Sequence, residues 1–90
     1  MTDYNGWTNW ETWNVNLWVD NEEPMYRAKV RFLRSPGVRG ITASTVKAFV
    51  LDLMPKGTPD MDKEDGGYAA VNWAEIAEHW ADEAGELARD

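Results

Sequence analysis

The stretch Asn9-Trp10-Glu11-Thr12-Trp13-Asn14-Val15-Asn16-Leu17-Trp18 decides the fold that the sequence predicts. Thr8 precedes it and Glu11 lies three residues further on, which is the spacing of a capping box at a helix start. The large apolar side chains of the stretch then recur at the spacing of one helical face. These side chains are Trp10, Trp13, Leu17 and Trp18. The pattern predicts a helix over about residues 9–20.

This first helix is expected to be the central element of the fold. Val15 and Val19 add apolar surface on a second flank, while Thr12, Asn16 and Asp20 form its polar side. A helix that is apolar over more than half its circumference must be covered from two directions.

Start signals and apolar periodicity mark three further helices. Pro24 suits the first turn of a helix over about 24–34, because its missing N–H costs nothing there. Thr42 or Ser44 can cap a third helix over about 43–54. Asn72, followed by Glu75 in capping-box spacing, begins a last helix over about 72–88.

The predicted fold class is therefore an all-α, compact single-domain bundle of about four helices. A short strand near 38–50 is the alternative, because Val38, Ile41 and Val46 favour extended structure. Residues 1–7 are predicted to be a flexible arm and 55–70 a long acidic loop without periodicity. The first and last helices are expected to pack through six side chains: Trp10, Trp13, Trp18, Trp73, Ile76 and Trp80.

Charge is segregated along a chain whose formal net charge is −7. Residues 24–47 contain six basic residues and no acid, whereas 56–90 contain ten acids and three bases. Net acidity disfavours non-specific binding to nucleic acid and permits binding to a basic protein surface. The candidate partner-binding surface is Asp60, Asp62, Glu64, Asp65, Glu75, Glu78, Asp82, Glu83 and Glu86. The alternative nucleic-acid contact is the basic stripe Arg27, Arg31 and Arg34.

The sequence contains no complete catalytic or metal-binding motif. Asp60, Asp62 and Glu64 have calcium-loop spacing, but Asp65 replaces the required turn glycine and Val71 replaces the required bidentate glutamate. The only histidine, His79, has no sequence motif that supplies a nucleophile or a second catalytic partner. We therefore expect no enzyme activity, no metal and no cofactor.

The cysteine content and the hydropathy of the chain limit the cellular compartments in which the protein is expected. No cysteine is present, which excludes disulfides and cysteine-based zinc sites. No apolar run approaches the roughly 18 residues of a membrane span, and the N-terminus is not a signal peptide. A cytoplasmic protein without membrane contact is expected.

The runs Asn9-Trp10-Glu11-Thr12-Trp13, Leu17-Trp18 and Asp20-Asn21-Glu22-Glu23 resemble the opening of small proteins encoded by bacteriophages and other mobile elements. The segment from Val71 to Trp80 resembles their closing helix. This family is largely uncharacterised, so the resemblance implies an origin in an infected bacterial host more than an activity.

Phage accessory proteins of this size and acidity often inhibit host defence, as anti-CRISPR and anti-restriction proteins do. The resulting hypothesis is an inhibitor that binds a host protein, most plausibly one that handles nucleic acid. A small nucleic-acid-binding regulator and a homodimeric accessory protein are the alternatives.

Overall fold

The computed structural model describes residues 6–61 and 67–89 of the chain, except for the side chain of Arg89. Its helices are α1 (Trp10–Asn21), α2 (Glu23–Arg34), α3 (Ala43–Leu53) and α4 (Trp73–Arg89). The all-α single-domain prediction is confirmed, and every helix end lies within one residue of the predicted one. The described residues form no strand near 38–50. Within the segment predicted as a loop, Gly67–Ala70 forms a short 3-10 helix before α4.

The predicted capping box at the start of α1 is wrong. Asn9, not Thr8, is the N-cap, and its side-chain oxygen accepts the backbone N–H of Thr12 at 2.9 Å. Thr8 instead donates its backbone N–H to a carboxylate oxygen of Glu75 on α4, at 2.9 Å. Glu75 lies 67 positions away in sequence, so local spacing could not reveal it.

The start of α4 completes this connection between two helix ends. Asn72 caps α4 as predicted, because its side-chain oxygen accepts the N–H of Glu75 at 3.1 Å. The backbone N–H of Asn72 donates to the Thr12 hydroxyl at 2.9 Å, so Glu75 does not complete a local capping box. Asn9 also donates to the carbonyl of Ala70 at 2.7 Å. The N-termini of α1 and α4 therefore satisfy each other's backbone groups.

A local capping box explains why a helix, and not a strand, follows residue 42. The Thr42 hydroxyl accepts the N–H of Thr45 at 3.2 Å, and the Thr45 hydroxyl accepts the N–H of Thr42 at 2.9 Å. This reciprocal pair satisfies two backbone donors of the first turn. It offsets the low helix propensity of the β-branched residues there.

Helix α4 packs against each of the other three helices, whereas α1 packs mainly against α2, so the expected central position of α1 is not observed. The most buried side of α1 is also not the predicted one. Val15 and Val19 are fully buried together with the polar residues Thr12 and Asn14. The predicted aromatic face is only half-buried. Small β-branched side chains let the other helices approach closely on the buried side, and Thr12 and Asn14 tolerate burial because they are hydrogen-bonded.

All four helices contribute to the core, α2 through the buried Leu33. Val46 and Val50 of α3 and Ile76 of α4 are fully buried beside the α1 valines. Trp80 is the one tryptophan of six that is fully buried. Of the six side chains predicted to pack α1 against α4, Ile76 and Trp80 are fully buried. The other four, Trp10, Trp13, Trp18 and Trp73, are half-buried, so the valines of α1 lie deeper in the core than its tryptophans.

Within the described ranges, none of the helices combines the length and the apolar composition that a membrane crossing requires.

Candidate functional site

The structure separates the acids of the predicted partner-binding surface into different roles. Asp62, Glu64 and Asp65 lie outside the described residues. Of the remaining six, three make specific contacts within the fold: Asp60, Glu75 and Glu83. The other three are exposed on α4: Glu78, Asp82 and Glu86.

Asp60 holds the segment after α3 against α1. One carboxylate oxygen accepts the side-chain N–H of Asn14 at 2.9 Å and the indole N–H of Trp18 at 2.8 Å. These two hydrogen bonds stabilise the ionised form and lower the pKa of Asp60 from its ordinary value. The hydroxyl of the buried Thr58 donates to the Asn14 side-chain oxygen, so the same asparagine fixes two residues of the segment.

Glu83 takes part in an ion cluster around a buried lysine. The Lys29 ammonium on α2 is 2.8 Å from a Glu83 carboxylate oxygen on α4 and 2.6 Å from one of Asp20 on α1. Only 1% of the Lys29 side chain is exposed. Its nitrogen lies 5.2 Å from the ring centre of Trp80 and 5.7 Å from that of Tyr26. The cluster joins three helices, which leaves Glu83 with a structural role.

The outward-facing acids of α4 form a single row, called here the α4 acidic row: Glu78, Asp82 and Glu86. They are four residues apart, so successive carboxylates are displaced by about 6 Å along the helix axis. All three are exposed, and none of the side chains that the structure describes forms an ion pair with them. The neighbouring Ala81 and Gly85 are small and exposed, so the surface beside the row is flat.

Such a row attracts cations and basic side chains. Among the residues that the structure describes, no group of three or more His, Cys, Asp or Glu side chains could hold a metal ion.

His79 packs against the ring of Trp7. Its ring centre lies 4.3 Å from that of Trp7, with the planes tilted by 36°. Glu75, the residue four positions earlier, turns to Thr8. Within the predicted arm 1–7, Trp7 is half-buried against the core and this histidine.

The basic stripe lies on the outer face of α2. Arg27 forms an ion pair with Glu23, one turn earlier on the same helix. Arg31 and Arg34 are exposed, and neither has an ion pair within the described residues. Arg27 and Arg31, with Tyr26 and Val30, line an open groove of about 430 Å³.

Sequence reasoning missed this groove and the flat surface beside the α4 acidic row. Tyr26 and Val30 are spaced i, i+4, and so are Ala81 and Gly85, which could have signalled two further helical stripes. Charged residues surround each stripe in the sequence, so neither stands out as an apolar pattern.

One family model matches nearly the whole chain. Residues 1–86 match the model of a family described as a family of unknown function, DUF7249. No curated protein and no solved structure matches the chain. Because the matched residues span all four helices up to Glu86, the chain belongs to the DUF7249 family.

Proposed function

We propose that this protein is encoded by a bacteriophage or another mobile element and binds a component of host defence, which it inhibits. Its partner is a host protein with a basic groove that handles nucleic acid, and the encounter takes place in the cytoplasm of the infected bacterium. The resemblance of the Asn9–Trp13 run to phage-encoded proteins supports the origin. The α4 acidic row supports the binding mode.

The row carries the proposal because the fold does not use it. Asp60, Glu75 and Glu83 are engaged in internal contacts, whereas Glu78, Asp82 and Glu86 are exposed in one line. A line of carboxylates can enter a groove that otherwise accepts phosphates, and it speeds the association of the two proteins at low salt.

The direct test is capture of host proteins on the immobilised full chain, with and without nuclease treatment. We expect a protein partner that survives nuclease. The double variant Glu78→Lys with Asp82→Lys should lose it, because two attractive charges become repulsive. Glu83 is left unchanged in this variant, since its replacement would disturb Lys29.

A matched control makes the same change in net charge elsewhere. Glu22 and Asp52 are exposed acids on other parts of the surface. Glu22→Lys with Asp52→Lys should keep the partner. Equal loss with both double variants, or recovery of nucleic acid alone, would count against the α4 acidic row as the binding surface.

A second candidate function is direct contact with nucleic acid through α2. The observation in its favour is that Arg31 and Arg34 are exposed without an ion pair among the described residues. In that case the protein alone retards DNA in a gel. Arg31→Ala with Arg34→Ala then weakens the retardation and reduces the salt dependence by about two phosphate contacts.

A further inference from the structure

The groove on α2 is an apolar surface bordered by cations. It is lined by Tyr26, Arg27, Val30 and Arg31, and Tyr26 is 40% exposed. Tyr26 and Val30 supply its apolar floor, and the arginine side chains can cover the floor with their aliphatic stems while their charged ends stay in water. An occupant that fits this groove therefore has carboxylates flanking a small apolar surface.

The α4 helix of the same protein has this chemistry. We propose that a second copy of the chain docks with its α4 acidic row on the α2 groove. Charge is the first support: Arg31 and Arg34 have no ion pair within the described part of their own chain, and neither do Glu78, Asp82 and Glu86. The basic residues 27, 31 and 34 and the acidic residues 78, 82 and 86 both extend over about two helical turns.

Shape is the second support. Ala81 and Gly85 lie beside the acids on the exposed side of α4. A side-chain carbon added at Gly85 would meet no atom within 4 Å, so the space in front of this glycine is open. Small residues allow two helices to approach closely, and the bulkier Tyr26 and Val30 of the other copy can fill the space between them.

A second copy fits this groove better than nucleic acid does. The apolar floor offers no partner to a phosphate, and the net charge of −7 opposes a polyanion over its whole length. Two copies also repel each other through this charge. At physiological salt the Debye length is about 8 Å, which screens distant acids more than it weakens pairs in contact.

The two docking surfaces lie on helices that are packed together through Lys29 and Glu83. Copies related by a two-fold axis could therefore make the contact twice, as closed dimers do. The dimer covers the α4 acidic row and would compete with the partner proposed above. The inference itself does not require that partner, and its test is made without one.

Sedimentation velocity of the purified full chain, from about 10 µM to about 1 mM at physiological salt, tests the proposal. The wild type should shift from monomer to dimer. Arg31→Glu should weaken dimerisation by about tenfold or more, because it places a carboxylate against the acidic row. Adding Asp82→Arg to this variant restores the charge pair and the dimer.

Lys47→Glu on α3 is the matched control, since Lys47 is exposed and the substitution changes the net charge equally. It should leave the dimer nearly intact, and Lys47→Glu with Asp82→Arg should not dimerise better than the wild type. Circular dichroism verifies that each variant is folded. A wild type that stays monomeric throughout, equal effects of Arg31→Glu and Lys47→Glu, or no restoration by Asp82→Arg would each overturn the proposal.

Discussion

Neutralising both carboxylates that contact Lys29, by Asp20→Asn with Glu83→Gln, is expected to lower the free energy of unfolding by about 3–5 kcal/mol. The lysine side chain is 1% exposed, so its ammonium cannot regain water when the two carboxylates lose their charge. An unpaired charge in such a place costs more than an exposed ion pair contributes. Urea unfolding followed by circular dichroism measures the change.

Lys29→Met provides the control for this prediction. Added to the double variant, it removes the buried charge while a side chain of similar length fills the space. The triple variant should recover much of the lost stability, as hydrophobic replacements of buried ion groups often do. If the triple variant is no more stable than the double one, the loss does not come from the unpaired charge.

Trp80→Ala is expected to have an effect of similar size, about 3–5 kcal/mol, because it empties the centre of the core. Trp80 is 1% exposed. Its ring meets Phe32 and Phe49 edge to face, at centre distances of 6.3 and 5.8 Å. A domain of this length is stabilised by roughly 5–13 kcal/mol in total, so the variant should unfold at a much lower temperature than the wild type.

Two other tryptophan variants compare this loss of stability with that from the Trp80 hydrogen bond and with that from the Trp13 ring. Trp80→Phe keeps part of the packing and loses the indole hydrogen bond to the Asn16 side-chain oxygen, 3.0 Å long, so its cost should be smaller. Trp13→Ala removes a half-buried ring and should also cost less than Trp80→Ala. Equal loss from Trp13→Ala and Trp80→Ala in thermal unfolding would contradict the assigned core.

The helices could be predicted because their signals are local. Thr42 and Asn72 cap the helices that follow them, as their sequence positions indicate. Apolar periodicity then extends each helix to within one residue of its observed end. Such signals depend on neighbours three or four positions away, which a single sequence contains in full.

The burial of polar residues could not be predicted in the same way. Periodicity places Thr12 on the polar side of α1, yet it is fully buried because its hydroxyl accepts the N–H of Asn72, 60 positions later. Asn14 is buried because residues 44 and 46 positions later complete its hydrogen bonds. No periodic pattern records which distant partner will satisfy a polar group.

The candidate site shows the same limit. The sequence identifies the acids of α4, but Asp82 and Glu83 are neighbours of the same charge and cannot be told apart by composition. Only the position of Lys29 on another helix assigns Glu83 to the interior cluster and leaves Asp82 outside. The division into structural and outward-facing acids is therefore a tertiary property.

This division is the central claim, and one comparison by urea unfolding tests it most directly. Glu83→Lys places a second cation against buried Lys29 and should lower the free energy of unfolding by about 3 kcal/mol or more. Asp82→Lys, the same chemical change one residue earlier, should alter it by no more than about 0.5 kcal/mol, as surface substitutions usually do. Similar losses in the two variants would contradict the claim.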